Sequence, residues 1–414
     1  MALEKIHRWC KKVAFLGLLS CLLAACSSSP VNQPAELDID FKDQINFKRI
    51  WKKSVGEGDQ ELKLQLSPIL RDDKIYSVDT EGFLSAIDRL SGKTVWSHEL
   101  DETISSGLAV DRDSLYVVTF SGYLVSLQLE NGQENWRSPL SSEATAPPAV
   151  NGELVIVQTI DGKVAAFGAQ DGKQRWRHDS VVPILSLRGT AKPLVSRKYT
   201  VTSFANGELL TLRNDIGLPL WKATLALPKG RTELERLVDS DGQPLLDGDT
   251  LYAAAYQGKI FALSALDGQE IWSKEISSFN KLALGFGKLF VTTDKGEIIA
   301  LDKQSGKELW RNEEFLYRRL GSPVVFDQFV MAADFEGYIH VLSVLDGKVL
   351  ARKYPDSDGV MGEMIVKGDR LYVYARSGDI VSYQLNPKVK DLRPLGSRFR
   401  NRRLFEESSN EYRD

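Results

Sequence analysis

Along most of the chain, apolar and polar positions follow one repeated scheme. A short apolar run leads to a glycine turn, an alternating stretch, a second glycine turn and a strand that carries tryptophan. The copies are "EGFLSAIDRLSGKTVW" from Glu81, "SGYLVSLQLENGQENW" from Ser121, "DGKVAAFGAQDGKQRW" from Asp161, "NGELLTLRNDIGLPLW" from Asn206, "QGKIFALSALDGQEIW" from Gln257 and "KGEIIALDKQSGKELW" from Lys295. A seventh, from Glu336, keeps the frame without the tryptophan, and an eighth, "SGDIVSYQLNP" from Ser377, stops half-way. Their first glycines are separated by 40, 40, 45, 51, 38, 41 and 41 residues. Period-2 alternation bounded by Gly, Asn and Asp turns predicts hairpins with a packed face. A period near 40 predicts a propeller of four antiparallel strands per blade.

The eighth unit lacks its outer strand, and the missing pattern stands at the other end. "FKRIWKKSV", Phe47 to Val55, has the tryptophan-bearing outer-strand signature with no unit before it. Pairing it with the last blade closes the ring. The expected fold is therefore all-β, an eight-bladed β-propeller over residues 45–386, with the N-terminal strand completing the last blade. Trp51, Trp96, Trp136, Trp176, Trp221, Trp272 and Trp310 then share one position. A ring repeated in every blade is expected to wedge between blades, because a ligand site would use one or two copies.

The ends have a different composition. "MALEKIHRWCKK" is basic, and "VAFLGLLSCLLAA", Val13 to Ala25, is apolar but shorter than the roughly 20 residues a bilayer span needs. Residues 1–25 read as an export signal. The signal ends in "LAAC", which resembles a bacterial lipobox and implies Cys26 as the lipid anchor. Ser27 after the cysteine implies the outer membrane, with the body lipid-anchored on the periplasmic face. The three cysteines are Cys10, Cys21 and Cys26, so the chain after the signal keeps one, and a disulfide framework or catalytic thiol is excluded. Residues 26–44 read as a flexible tether with a reach of roughly 24 Å. Residues 387–414 lie beyond the repeat, basic and then acidic, and read as a disordered tail. The net charge of -3 gives no reason to expect nucleic acid.

Catalytic constellations are thin. Of four histidines, His7 is in the signal, His98 and His178 are expected on exposed outer strands, and His340 as a satisfied structural histidine. "DSDG" at Asp239 and Asp356 invites calcium, but neither continues into an EF-hand loop, and turn chemistry explains both. No metal and no cofactor is expected. "ALDKQSGKELW" resembles the tryptophan docking motif of the quinone-dependent dehydrogenases. The cysteines over the quinone that this resemblance would require are missing, which argues against an enzyme. A periplasmic glycan-binding adaptor is the other alternative.

The two longest intervals are consecutive, between Gly162 and Gly258. In an antiparallel blade, the connections from one blade to the next share a face. "SVVPILSLRGTA" follows blade three and "LPKGRTELERLVDSDGQ" follows blade four, so the two enlarged loops are expected side by side. The first offers Leu185, Leu187 and Arg188; the second offers Arg231, Glu233, Arg236, Asp239 and Asp241. Leucines flanked by opposite charges suit a small interface with a polar rim.

The lipobox, the eight blades, "LSLRG" after blade three and "RTELERLVDSDGQP" after blade four together resemble the BamB family of outer-membrane assembly lipoproteins. The resemblance covers about Cys26 to Leu385. It implies a non-enzymatic subunit of the β-barrel assembly machinery that binds the periplasmic POTRA domains of the insertase BamA, is linked to the other subunits indirectly, and assists nascent outer-membrane β-barrel proteins. Carried onto this chain, the contacts to BamA are Leu185, Leu187, Arg188, Asp239 and Asp241.

Overall fold

The computed structural model describes residues 32–387, apart from 39, 59–63, 65, 184–189, 228–230, 233–239 and 241. Every regular element among them is a strand, and the strands form eight four-stranded antiparallel sheets. Blade one shows the scheme: β2 (Ile69–Arg71), β3 (Lys74–Val78), β4 (Phe83–Asp88) and β5 (Thr94–Glu99) lie side by side in chain order. Blades two to seven repeat it from β6 (Ala109–Val110) to β29 (Val349–Lys353). Blade eight consists of β30 (Val360–Lys367), β31 (Arg370–Ala375) and β32 (Asp379–Pro387), with β1 (Ile45–Ser54) on its outside. The register of β1 on β32 runs from Ile45 opposite Pro387 to Ser54 opposite Asp379, with a bulge between Arg49 and Trp51. Ring closure by the N-terminal strand is thus observed as expected.

The two middle strands of each blade are buried on both faces, because each blade lies against a neighbour. Tyr252 and Ile260 of blade five, for example, share one apolar cluster with Leu289 and Val291 of blade six. The tryptophans lock these contacts from outside. Each of the seven indoles donates its N–H to a carbonyl of the following blade, as in Trp51 to Arg89 at 3.1 Å and Trp272 to Lys303 at 3.1 Å. The same rings cover the glycine of the next blade's last turn. At Gly306, with φ of +69°, an added Cβ would lie 2.6 Å from the Trp272 ring. Glycine is required there twice over, for its left-handed backbone and for the close approach of the indole.

The seventh unit's missing tryptophan now has a reason. Ala351 pairs with Val341 as Trp310 pairs with Ala300, so it holds the tryptophan position. The indole would dock on the turn joining the last two strands of blade eight. That turn does not exist, because the outer strand there is β1.

A strap takes its place. Ala35 N–H donates to the Leu316 carbonyl at 2.8 Å, and Gln44 N–H to that of Leu350 at 2.8 Å. Arg318 donates to the Ala35 carbonyl at 2.9 Å, and Arg352 to the Asp38 carbonyl at 2.9 Å. The backbone N–H of Arg352 reaches the Asp43 carboxylate at 3.0 Å, and its guanidinium lies over the Phe41 ring. Leu37 and Phe41 pack on the cluster that holds Val349 and Phe315. These residues fall in the segment read from the sequence as a flexible tether. In the structure, Ala35, Asp38, Phe41, Asp43 and Gln44 make specific contacts with the connection before blade seven and with its outer strand.

Candidate docking face

The two enlarged connections leave β13 (Gln174–Asp179) of blade three and β17 (Pro219–Thr224) of blade four. Each begins on its own blade's middle turn. Ser180 N–H donates to the Gly162 carbonyl at 2.9 Å, and Leu225 N–H to that of Gly207 at 2.8 Å. Blades one and two do the same, Leu100 to Gly82 and Leu140 to Gly122, so the blade-to-blade connections share one face.

One turn of blade four ties the two loop roots together. Between Ser203 and Glu208, the Asn206 amide lies 3.4 Å from the Ser180 hydroxyl at the root of the first loop. The Gly207 carbonyl receives Leu225 and Ala226 from the start of the second loop. The Ser203 hydroxyl donates to the Ser240 carbonyl at 2.6 Å, near that loop's end. The far end of the first loop is pinned as well: the Thr190 hydroxyl receives the Ala146 N–H at 2.9 Å. The expectation that the two loops are neighbours on one face is met at these roots.

The loop tips are another matter. Leu185, Leu187, Arg188, Asp239 and Asp241 lie outside the described residues, as do Cys26 and the 388–414 tail. The roots nevertheless carry their own signal. Val181 is 80% exposed and Leu227 64% exposed, one on each root. Two exposed apolar side chains on adjoining roots add to the residues singled out from the sequence on this face. They escaped that reading because valine and leucine next to a strand end read as the end of the strand.

Around the roots the charges are paired. Glu208 bonds Lys222 at 3.0 Å, which holds its carboxyl below the usual range, with Asn206 assisting. At Asp161, burial would raise the pKa, and the Lys163, Thr159 and Ser141 contacts outweigh it, so the carboxyl stays below its ordinary value. Groups fixed in their charge state by ion pairs suit a polar rim more than proton transfer.

The other sequence candidates find structural roles. Asp356 accepts from Ser377 at 2.8 Å and from Lys52 of β1 at 3.3 Å, so it belongs to ring closure. Among the described residues no group of three or more His, Cys, Asp or Glu is placed to hold a metal. His98 and His178 are half-buried on their outer strands, less exposed than expected. His340 is fully buried and bonded through Nε2 to Asp334 at 2.9 Å, while its Nδ1 has no partner. It is structural, but satisfied on one side only.

The family profile described as "Outer membrane protein assembly factor BamB" matches residues 80–312 and 262–404. The outer-membrane protein assembly factor BamB of Pseudomonas aeruginosa is 45% identical over 376 residues, covering 90% of this chain and 99% of that one. The chain belongs to the BamB family. The BamB of Kangiella koreensis is 37% identical, over 90% of this chain and 96% of its own. The crystal structure of BamB from Moraxella catarrhalis superposes with a TM-score of 0.75 at 25% identity, covering 82% of this chain and all of that one. A quinohaemoprotein alcohol dehydrogenase from Comamonas testosteroni reaches a TM-score of 0.66 at 12% identity, over 88% of this chain and 82% of that one. That likeness is one of fold alone. The BamB relatives are named as assembly factors, and membership of their family meets the expectation of a non-enzymatic protein.

Proposed function

We propose that this protein is a non-enzymatic lipoprotein subunit of the outer-membrane β-barrel assembly machinery, anchored through Cys26 on the periplasmic face. It docks on the POTRA domains of BamA through the loops after blades three and four. There it assists delivery, folding and insertion of outer-membrane proteins. The observation that carries this reading is the family membership over nine-tenths of the chain, with relatives named as assembly factors for outer-membrane proteins.

The shared root of the two loops supports the docking part. Leu185, Leu187, Arg188, Asp239 and Asp241 are its assigned contacts, and the exposed Val181 and Leu227 would widen their apolar centre. The strap supports the assistance part, because the Gln44 N–H bonds the Leu350 carbonyl and the Asp43 carboxylate takes the Arg352 N–H, both on the outer strand of blade seven. Incoming strands would use the free outer edges of other blades in the same way.

The test is affinity purification from solubilised membranes of the wild type and of Arg188→Glu, with melting curves to show that both fold. Loss of most BamA from the variant is expected, because a reversed charge at an interface centre costs affinity at a close charge pair. Equal recovery of BamA by the two proteins overturns the loop assignment.

A further inference from the structure

The first strand of each blade lies innermost, and first strands of neighbouring blades touch around the axis. Strand register identifies equivalent positions in this inner ring. Ile69, Leu194, Ala283 and Ile365 hold the same place, each paired with the matching residue of its second strand. Two residues before that place, where the chain enters from the loop face, stand Lys192 in blade four, Lys281 in blade six and Glu363 in blade eight. The other five blades carry uncharged residues there, Ser67, Gln243 and Ser322 among them.

The ring is knit by bonds between neighbours. Lys281 N–H donates to the Ser322 hydroxyl at 3.2 Å, and Glu363 N–H to that of Ser67 at 2.8 Å. Lys281 also reaches from blade six to blade eight, with Nζ 2.8 Å from the Glu363 carboxylate. The Glu363 carboxylate is therefore already engaged by Lys281, and Lys192 has no ion pair among the described residues. Burial pushes the Lys192 ammonium below its ordinary pKa, Glu363 opposes this, and Lys281 adds to it. Lys192 is half-buried, and the carboxylate that acts on it already bonds a second ammonium, so its burial is under-compensated and an incoming anion would relieve the cost.

We propose that the inner ring at its loop-face end is a carboxylate-binding site, in which Lys192, with Lys281 beside it, receives an acidic side chain. The donor of that carboxylate is an extended segment of a protein docked on the same face, since Lys192 closely follows the 184–189 segment. This last step rests on the docking reading above. The carboxylate site itself does not.

The experiment uses the full processed chain with lysine Cε labelled by ¹³C and the Lys192 signal assigned through Lys192→Arg. It is titrated at constant ionic strength with an acetylated, amidated Gly-Glu-Gly peptide, with the Gly-Gln-Gly peptide, and with inorganic phosphate. The expected result is a saturable shift with the glutamate peptide, at least about tenfold weaker with the glutamine peptide, as loss of a charged hydrogen bond implies. No shift with the glutamate peptide, or the same shift with both peptides, overturns the site. A saturable shift with phosphate alone also overturns it as a carboxylate site.

BamA recovery by Lys192→Gln, whose melting should match the wild type, gives the second readout. Reduced recovery is expected, and full recovery rejects the docked carboxylate. If the wild type itself fails to recover BamA while the peptide shift persists, the docking reading falls and the site stands.

Discussion

Each indole in the ring performs two tasks, covering a glycine that has no side chain and donating a hydrogen bond to the next blade. The tasks separate by substitution. Trp272→Phe keeps most of the apolar cover and loses the bond to Lys303, a cost of about 1 kcal/mol. Trp272→Ala opens the whole seam and should cost about 3 kcal/mol or more, read as a drop in the urea midpoint. His340 makes stability depend on pH. Its burial lowers the imidazole pKa despite the Asp334 bond, so the unfolded chain binds a proton that the folded chain refuses. Stability contributed this way is present above the unfolded histidine pKa, about 6.5, and is lost as pH falls below it. Urea midpoints at pH 7.5 and 5.5 should show a fall that His340→Gln reduces. An equal fall in both proteins would reject the assignment.

At the scale of elements, the hairpin strands were legible because each carries a period of two and a glycine turn, repeated until chance is excluded. The strap was not legible. "LDIDF", Leu37 to Phe41, alternates apolar and polar positions but has no copy elsewhere in the repeat to give it a place, and several of the strap's contacts use backbone groups, the carbonyls of Ala35 and Asp38 and the N–H groups of Ala35 and Gln44. Backbone groups are present in every sequence and give no signal. Phe41 lies under Arg352, and Leu37 packs with it on the same apolar cluster. Phe41→Ala should cost about 1 to 2 kcal/mol, from lost apolar cover and the cation contact. Limited proteolysis should then cut first between residues 32 and 44. An unchanged cleavage pattern and midpoint would show that the strap does not hold this seam.

For the whole molecule, the number of blades, the closure by β1 and the shared face of the loops all follow from one repeat and its interruptions. The two enlarged loops were legible as excess length, since 45 and 51 residues cannot fit a period near 40 without added loop. Val181 and Leu227 were not, because exposure is decided by neighbours far away in sequence. The Lys192 position also escaped notice, since an inner ring appears only when blades are aligned around an axis. The strap has a mechanical consequence for a chain tethered at its N-terminal end. A pull from that side meets the propeller first at Ala35, on the connection between blades six and seven. It is then shared by bonds to Leu316, Arg318, Leu350 and Arg352 before any load reaches β1. Without that stretch the force would arrive at Ile45 and peel the closing strand one pair at a time. With it, tension is spread across the neighbouring blade, and the closing strand β1 is shielded from a pull on its N-terminal side.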